Sequence, residues 1–469
     1  MLLIPFANGI TELVRAWQAT SVYDVARALL VASSTCILAH CAYNIFLHPL
    51  KSFPGPLLWR SFRAPYLVRA LQGQLAFDLL ELHRHYGPIV RIAPNELALA
   101  FEGVWDKVQG GTYDNEIPKL NNYYRVQADQ TEFIMTAPPE DHAQMRRALS
   151  YGFSDRGIRD MESRMIEMLD KMLGRLNDIC SGRDGIPNDP AAQRDEAVID
   201  IAKWCNFLTF DMIGELAFGE SYNCLETASY HPWVRPIVHL THYSGVLAVL
   251  GFYPKFQTLL LNVFGSLICR RMESHQQHSR DALERRGMRP DRTDLLSQSL
   301  KQAKASKDPI AWDKLVMNAS VLGVAGSETT ATTITAAFYF LLTNPRVYQQ
   351  LSTEVRNAFK DETEITVTAV NKLEYMLACL NETMRMLPAV PGGLPRVVPL
   401  GGKVFHGEFV PQGTIVSIWH WALYHNDAFF RAPFEFRPER FLGVADFSSD
   451  ARQLLQPFHV GRRACIGRS

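Results

Sequence analysis

The sequence lacks several features that would place it in other classes of protein. Residues 58–469 contain no Gly/Ser linker, no Pro-rich tract and no repeat of fixed period, so we expect one large domain. Lys plus Arg equals Asp plus Glu, at 48 each, and this balance gives no net field to attract nucleic acid or charged substrates. The eight cysteines include no Cys-x-x-Cys pair, which indicates neither a zinc site nor a disulfide framework and fits a reducing compartment. Neutral, apolar ligands are therefore favoured.

Apolar residues make up 47% of the chain, enough to fill a large buried core. Their spacing predicts a mainly α-helical fold with a small β part. Short strands are expected at 89–92 and 97–100. Helices are predicted at residues 75–87, 140–150, 157–178, 194–218, 232–265, 268–286, 310–342, 345–360 and 370–386.

The composition of the N-terminal part predicts three segments: an N-terminal segment over 1–21, a transmembrane anchor over 22–48 and a proline-rich hinge over 49–57. The uncharged stretch within the anchor has about the length needed to cross a bilayer, roughly 20 residues, although a buried or interfacial helix is an alternative. Basic residues are more frequent after this stretch than before it. The rule that basic loops stay cytoplasmic then puts the domain over 58–469 in the cytosol.

The strongest motif is FHVGRRACIGRS at residues 458–469. Gly461 and Gly467 let the backbone pass close to a large flat ligand, Arg463 supplies a cation, and Cys465 can present a thiolate to iron. Together with Phe458, these residues agree in type and spacing with the haem loop of the cytochrome P-450 family, which the sequence resembles over nearly its whole length. The resemblance implies the P-450 fold and a monooxygenase whose haem b iron is held by Cys465.

A second motif pairs Glu382 with Arg385, three residues apart on one helical face. Taken alone it is a common surface pair. The string RPERF follows at 437–441, and the resemblance implies that Glu382, Arg385 and Arg440 form a buried structural network. Its role would be to hold the loop that leads to the cysteine.

The string AGSETT at 325–330 lies in the middle of the long predicted helix, where Gly and Thr weaken helical hydrogen bonding. Without the resemblance it would indicate a notch for helix packing. The resemblance implies instead that Glu328 and Thr329 are the acid and the alcohol of a proton relay used in oxygen activation.

The two carboxylates of a buried haem need cationic or hydrogen-bonding partners. The resemblance assigns this role to His142, Arg146, Arg396 and Arg463, and it makes Phe458 and Gly461 further cofactor-binding residues. His142 departs from the Trp that is common in the family, but it keeps an N–H donor.

The sequence has no Gly-rich phosphate loop after a strand, and so no flavin or nicotinamide module. The resemblance therefore implies that electrons come from NADPH–cytochrome P-450 reductase in the same endoplasmic reticulum membrane. The apolar stretch 229–264 matches the family's lid helices, which would admit a lipophilic substrate from the membrane lipid. Pocket residues are expected from the 110–135 loop, from Val321 and Ala325, and from 390–394.

The expected reaction is hydroxylation or epoxidation of a terpenoid or polyketide, as in members of the family that act in fungal secondary metabolism. No residue in the sequence identifies the compound.

The chain ends at Ser469, four residues after Cys465, whereas family members normally continue. This predicts either a truncated record of an active enzyme or an inert membrane haem-binding protein. A third hypothesis keeps the fold but isomerises or dehydrates without dioxygen, and the presence of Glu328 and Thr329 argues against it.

Overall fold

The computed structural model describes residues 22–468 except 112–115, 126–130, 182–197, 235–244, 247, 290, 307 and 309. Helices dominate this part of the chain, as predicted. Their bounds are α1 Val22–Ala42, α2 Leu57–Ser61, α3 Ala64–Leu71, α4 Leu75–Tyr86, α5 Val104–Val108, α6 Asn121–Tyr124, α7 Pro139–Leu149, α8 Asp155–Cys180, α9 Ile201–Ile213, α10 Cys224–Thr227, α11 Pro254–Gly287, α12 Ser297–Ala305, α13 Ala311–Thr343, α14 Pro345–Ala358, α15 Val367–Val370, α16 Glu374–Met386 and α17 His420–Tyr424.

The β part is a four-stranded sheet and a separate hairpin. The strands are β1 Ile89–Ala93, β2 Glu96–Leu99, β3 Arg396–Val397, β4 Lys403–Phe405, β5 Glu408–Val410 and β6 Ile415–Ile418. Sheet order is β1-β2-β6-β3, and β4 pairs with β5. Strand β2 runs parallel to β6, with Leu97 opposite Val416, and β3 runs antiparallel to β6. This pairing brings Arg396 to the same sheet as the N-terminal strands.

The long helix α13 passes through the largest apolar core, and its most extensive packing is against α9. Leu315, Ala319 and Leu322 are buried in that core together with side chains of α8, α9 and α11. A second core surrounds the sheet and includes Leu97, Val416 and Tyr424. Because α13 packs against several helices along its length, its central residues have fixed positions relative to the largest core.

Helix α1 is the one candidate membrane span among the described residues. Together with the π-helical turn Tyr43–Leu47 it covers 26 residues at a mean hydropathy of 1.6, with none of its most apolar stretch buried. Its end is fixed to the domain, because Asn44 donates to the Ser61 carbonyl at 2.8 Å and Arg91 donates to the Asn44 carbonyl at 2.8 Å. Leu50 and Phe53, in the predicted hinge, are buried in the core around the sheet.

Several predicted helix boundaries are wrong. The predicted break near residue 267 is absent, and α11 is continuous, because helix-forming residues on both sides of Gly265 outweigh a Gly cost of about 1 kcal/mol. The helix predicted from 194 begins at Ile201, where the Asp200 carboxylate accepts from the Lys203 amide at 3.2 Å and caps the first turn. The helix predicted over 370–386 begins at Glu374, after a turn that separates it from α15. The helix predicted over 232–265 is interrupted at residues 251–253, and the part of it and of the predicted lid over 229–264 that covers 235–244 lies outside the described residues.

Candidate active site

The Cys465 loop is a tight turn with its own backbone hydrogen bonds. The Cys465 amide donates to the Phe458 carbonyl at 2.7 Å, and the Ala464 amide donates to the Gly461 carbonyl at 3.1 Å. Phe458 thus contributes its carbonyl to the turn. Cys465 is an exposed free thiol, and a Cβ added to Gly467 would lie 3.9 Å from its sulfur. The loop therefore presents a sulfur on an open face with little side-chain cover.

Gly461 is required by space as well as by backbone conformation. Its φ is +74°, in the left-handed region, and a Cβ at this position would lie 2.2 Å from the Gln109 carbonyl oxygen. The loop is therefore packed directly against the end of α5. A larger residue would push the whole turn away.

Two arginines attach the loop to the rest of the domain. Arg146, on α7, donates to the Ala464 carbonyl at 2.6 Å. Arg463 donates to the Ala137 carbonyl at 3.1 Å and forms an ion pair with Glu116. Both contacts fix the backbone next to Cys465.

Arg396 joins the same group of charges from strand β3. It is buried, and it donates to Glu116 at 3.0 Å and to the Ile117 carbonyl at 2.7 Å. Glu116 therefore bridges Arg396 and Arg463, two residues that sequence reasoning placed at the cofactor. The Nε of Arg396 and one Glu116 oxygen are buried without a hydrogen-bond partner in the described structure.

Lys119 is a third cation beside Glu116. Its ammonium donates to the Met135 carbonyl at 2.8 Å. Burial, followed by the charges of Arg396 and Arg463, lowers the pKa of Lys119 to about 7, although Glu116 acts in the opposite direction. Arg396, Arg463 and the protonated form of Lys119 carry up to two positive charges more than Glu116 offsets, which favours an anionic ligand.

His142 lies on α7 beside these cations. It is buried, and desolvation, followed by the charges of Arg463, Lys119 and Arg146, lowers its pKa to about 4. The imidazole is therefore neutral at physiological pH. A neutral imidazole keeps one N–H donor and adds no charge to the cluster.

Ala325 and Gly326 form a notch at the centre of α13, between turns that are buried. Ala325 and Gly326 are exposed, although Ser327 next to them is fully buried. A Cβ on Gly326 would lie 3.1 Å from Ile213, so a larger side chain would disturb the packing of α9. Thr329 donates to the Ala325 carbonyl at 2.7 Å, a bond from a side chain to the preceding turn.

Glu328 follows the notch, and one of its carboxylate oxygens is buried without a hydrogen-bond partner in the described structure. Burial raises the pKa of Glu328 above its ordinary value. The side chain therefore takes up a proton more readily than an exposed glutamate. None of the described hydrogen bonds connects Glu328 or Thr329 to the cysteine loop.

Glu382, Arg385 and Arg440 meet in a fully buried network. Glu382 accepts from Arg385 at 2.7 Å and from Arg440 at 3.0 Å, and Arg440 also pairs with Asp450. Arg385 donates to the carbonyls of Tyr424 and Pro433, each at 2.7 Å. The network thereby joins α16 and α17 to the chain segment that precedes the cysteine loop.

Sequence reasoning missed Glu116, Lys119 and Asp450. Glu116 and Lys119 stand in EIPKL within the loop expected to line the pocket, and two opposite charges three residues apart were the available signal. Neither lies in a motif, so their contacts with Arg396 and Arg463 depend on sheet pairing. Asp450 sits in a turn whose sequence gives no comparable signal.

The sequence that carries these residues is similar to known proteins over most of its length. The profile of the cytochrome P-450 family matches residues 53–469. Cytochrome P-450 monooxygenase prhB of Penicillium brasilianum is 35% identical over 447 residues, covering 94% of this chain and 88% of that protein. Trichothecene C-15 hydroxylase of Fusarium sporotrichioides is 36% identical, covering 91% and 84%. Averantin hydroxylase of Aspergillus parasiticus is 33% identical, covering 91% and 83%.

Proposed function

Because this chain belongs to the cytochrome P-450 family, we propose that it is a monooxygenase that inserts one atom of dioxygen into a lipophilic intermediate of fungal secondary metabolism. The observation that carries the proposal is the Cys465 loop, whose sulfur is exposed and whose Arg463 pairs with Glu116 beside the buried Arg396. The compared relatives are monooxygenases and hydroxylases by name, which does not favour the non-catalytic alternative.

The residues present fit a haem with two carboxylates. The surplus of positive charge that Arg396, Arg463 and the protonated form of Lys119 leave near Glu116 suits those carboxylates, and the exposed Cys465 offers a sulfur ligand on the same loop as Arg463. We propose haem b, held by Cys465 at the iron and by His142, Arg146, Arg396 and Arg463 around the carboxylates, with Phe458 and Gly461 shaping the loop. Thiolate-bound haem iron supplies the redox chemistry that activates dioxygen.

We propose that Glu328 and Thr329 move protons during that activation. The raised pKa of Glu328, caused by burial, suits an acid that takes up a proton more readily than an exposed glutamate. The hydroxyl of Thr329 lies in a notch whose neighbours Ala325 and Gly326 are exposed, so small molecules have access to it. These features support the relay, and the alternative is that Gly326 only serves the packing of α13 against α9.

The substrate class follows from the relatives and from the absence of a net field on the chain. Trichothecenes and averantin, named in two relatives, suggest a terpenoid or a polyketide. We propose hydroxylation or epoxidation of such a molecule, with Val321, Ala325 and residues 390–394 in the pocket. Of these, Ala325 and Val390 are exposed, which supports their contact with a ligand.

The proposed reaction needs electrons from a partner protein, and membership of the cytochrome P-450 family implies that this partner is a reductase. We propose NADPH–cytochrome P-450 reductase, with both proteins in the endoplasmic reticulum membrane and the catalytic domain in the cytosol. The apolar helix α1 supports a membrane anchor. The exposed Arg462 and Arg468 beside Cys465 supply positive charge for docking an acidic partner.

The test uses microsomes that contain the full chain and a fungal reductase. Apolar terpenoids and polyketides are first screened for a substrate-induced shift of the haem absorption band. Each binder is then incubated with NADPH and isotopically labelled dioxygen. We expect one labelled oxygen atom in the product. If a substrate binds but the label appears in neither the product nor water, the proposal is contradicted.

A further inference from the structure

Lys119, Arg396 and Arg463 form a cationic cluster near Glu116. Within this cluster, Lys119 contacts strand β3 and helix α6. Its backbone forms an isolated β-bridge with Arg396, and its ammonium lies 4.9 Å from the centre of the Tyr124 ring. The charge of Lys119 also acts on His142 and His459, lowering the pKa of each. The side chain is thus directed into the cluster and is held by the strand that carries Arg396.

The hydrogen bonds of Lys119 leave donors for a ligand. An ammonium has three N–H donors, and the described contacts of Lys119 use one of them, to the Met135 carbonyl. Arg396 and Arg463 are each paired with Glu116, whereas no described carboxylate lies within ion-pair distance of Lys119. Lys119 is therefore the cation of this cluster that most lacks a counter-charge.

We propose that Lys119 is a further cofactor-binding residue that donates to a haem carboxylate, while Glu116 positions Arg396 and Arg463 for the same cofactor. This assignment rests on the proposed haem function of the site. It accounts for a half-buried cation that has no ion-pair partner among the described residues, and a ligand would supply the missing negative charge. The alternative is a structural role, in which Lys119 only ties Met135 to the sheet.

The experiment measures transfer of haem from the full-length protein to excess apomyoglobin. We expect Lys119→Met to lose haem about tenfold faster than the wild type, because a charge-assisted hydrogen bond is removed. Lys119→Arg should stay within about threefold, since it keeps the charge and N–H donors. Lys107→Met, at an exposed lysine, is the matched control and should equal the wild type.

A second measurement separates ligand binding from folding. Apoproteins are reconstituted with haem and with haem dimethyl ester, whose carboxylates carry no charge. We expect the wild type to prefer haem, and the preference to shrink about tenfold in Lys119→Met. A structural role would instead lower the thermal stability of the apoprotein and weaken both cofactors equally.

Equal haem loss by Lys119→Met and the wild type, or an unchanged preference over the ester, overturns the assignment of Lys119 alone. The wild type would still show a thiolate-type spectrum in that case. A wild type that binds no haem overturns both this inference and the proposed function.

Discussion

At the residue scale, the candidate site combines buried side chains that make many contacts with small side chains that are exposed. Arg385 and Arg440 are fully buried and paired, whereas Cys465, Ala325 and Gly326 are exposed. Exposed small residues in the middle of a core helix lack the packing contacts of their neighbours, and a bound ligand would supply such contacts.

The role of Thr329 is tested by its replacement with Ala. We expect the variant to keep its haem spectrum but to release more peroxide per NADPH, with product falling by about tenfold to a hundredfold, because proton delivery is impaired. Product and peroxide are measured in the same reaction. Thr332→Ala, which removes a similar bond to the Glu328 carbonyl on the same helix, is the control. Equal coupling in both variants would mean that Thr329 only packs the helix.

At the element scale, the sequence predicted helix α13 and strands β1 and β2 well, but it did not predict strands β3 to β6. The apolar spacing of α13 predicted its bounds to within one residue, since a helix of 33 residues carries its own pattern. Strands β3 to β6 have two to four residues each, and β6 pairs with β2 across more than 300 residues of chain. The pairing of strands so far apart in the chain depends on tertiary packing, which a local sequence pattern does not predict.

The candidate site divides in the same way. Cys465, Glu382 and Arg385 lie in compact motifs, so their types and spacing were enough to predict them as candidates. Glu116 and Lys119 meet Arg396 only because the 116–125 segment crosses the end of β3. Their contribution depends on tertiary contacts, which a single sequence does not reveal.

The contact between the cysteine loop and α5 is tested by Gly461→Ala. We expect loss of most bound haem, because the new Cβ would meet the Gln109 carbonyl at 2.2 Å and displace the turn. Gly413→Ala is the control, since its φ of +77° is equally unfavourable but a Cβ there has nothing within 4 Å. The control should lose only about 1–2 kcal/mol of stability and keep its haem. Haem content per protein is the readout, and equal content in both variants would rule out the close approach as the cause.

At the scale of the whole molecule, several buried histidines should make the fold sensitive to acid. Burial lowers the pKa of His83 and His420 to about 4, from 6.5 when exposed. Below pH 6.5 the unfolded chain binds protons that the folded chain does not, so stability is complete above this pH and falls toward pH 4. Each histidine contributes roughly 3 kcal/mol over that window.

Urea unfolding of the full chain at several pH values checks this sensitivity. We expect His83→Gln to flatten the loss of stability between pH 6.5 and 4. His85→Gln, an exposed histidine on the same helix, should keep the wild-type slope. Identical slopes for both variants and the wild type would show that His83 is not kept neutral by the fold.

The central claim is that Cys465 supplies a thiolate to haem iron, and the carbon monoxide difference spectrum of the reduced full-length protein tests it most directly. We predict the red-shifted band of thiolate-bound haem in the wild type and in Cys180→Ala, which removes another exposed free cysteine. Cys465→Ala should lose that band completely. A red-shifted band that persists in Cys465→Ala would contradict the account, since the iron would then have a different sulfur ligand.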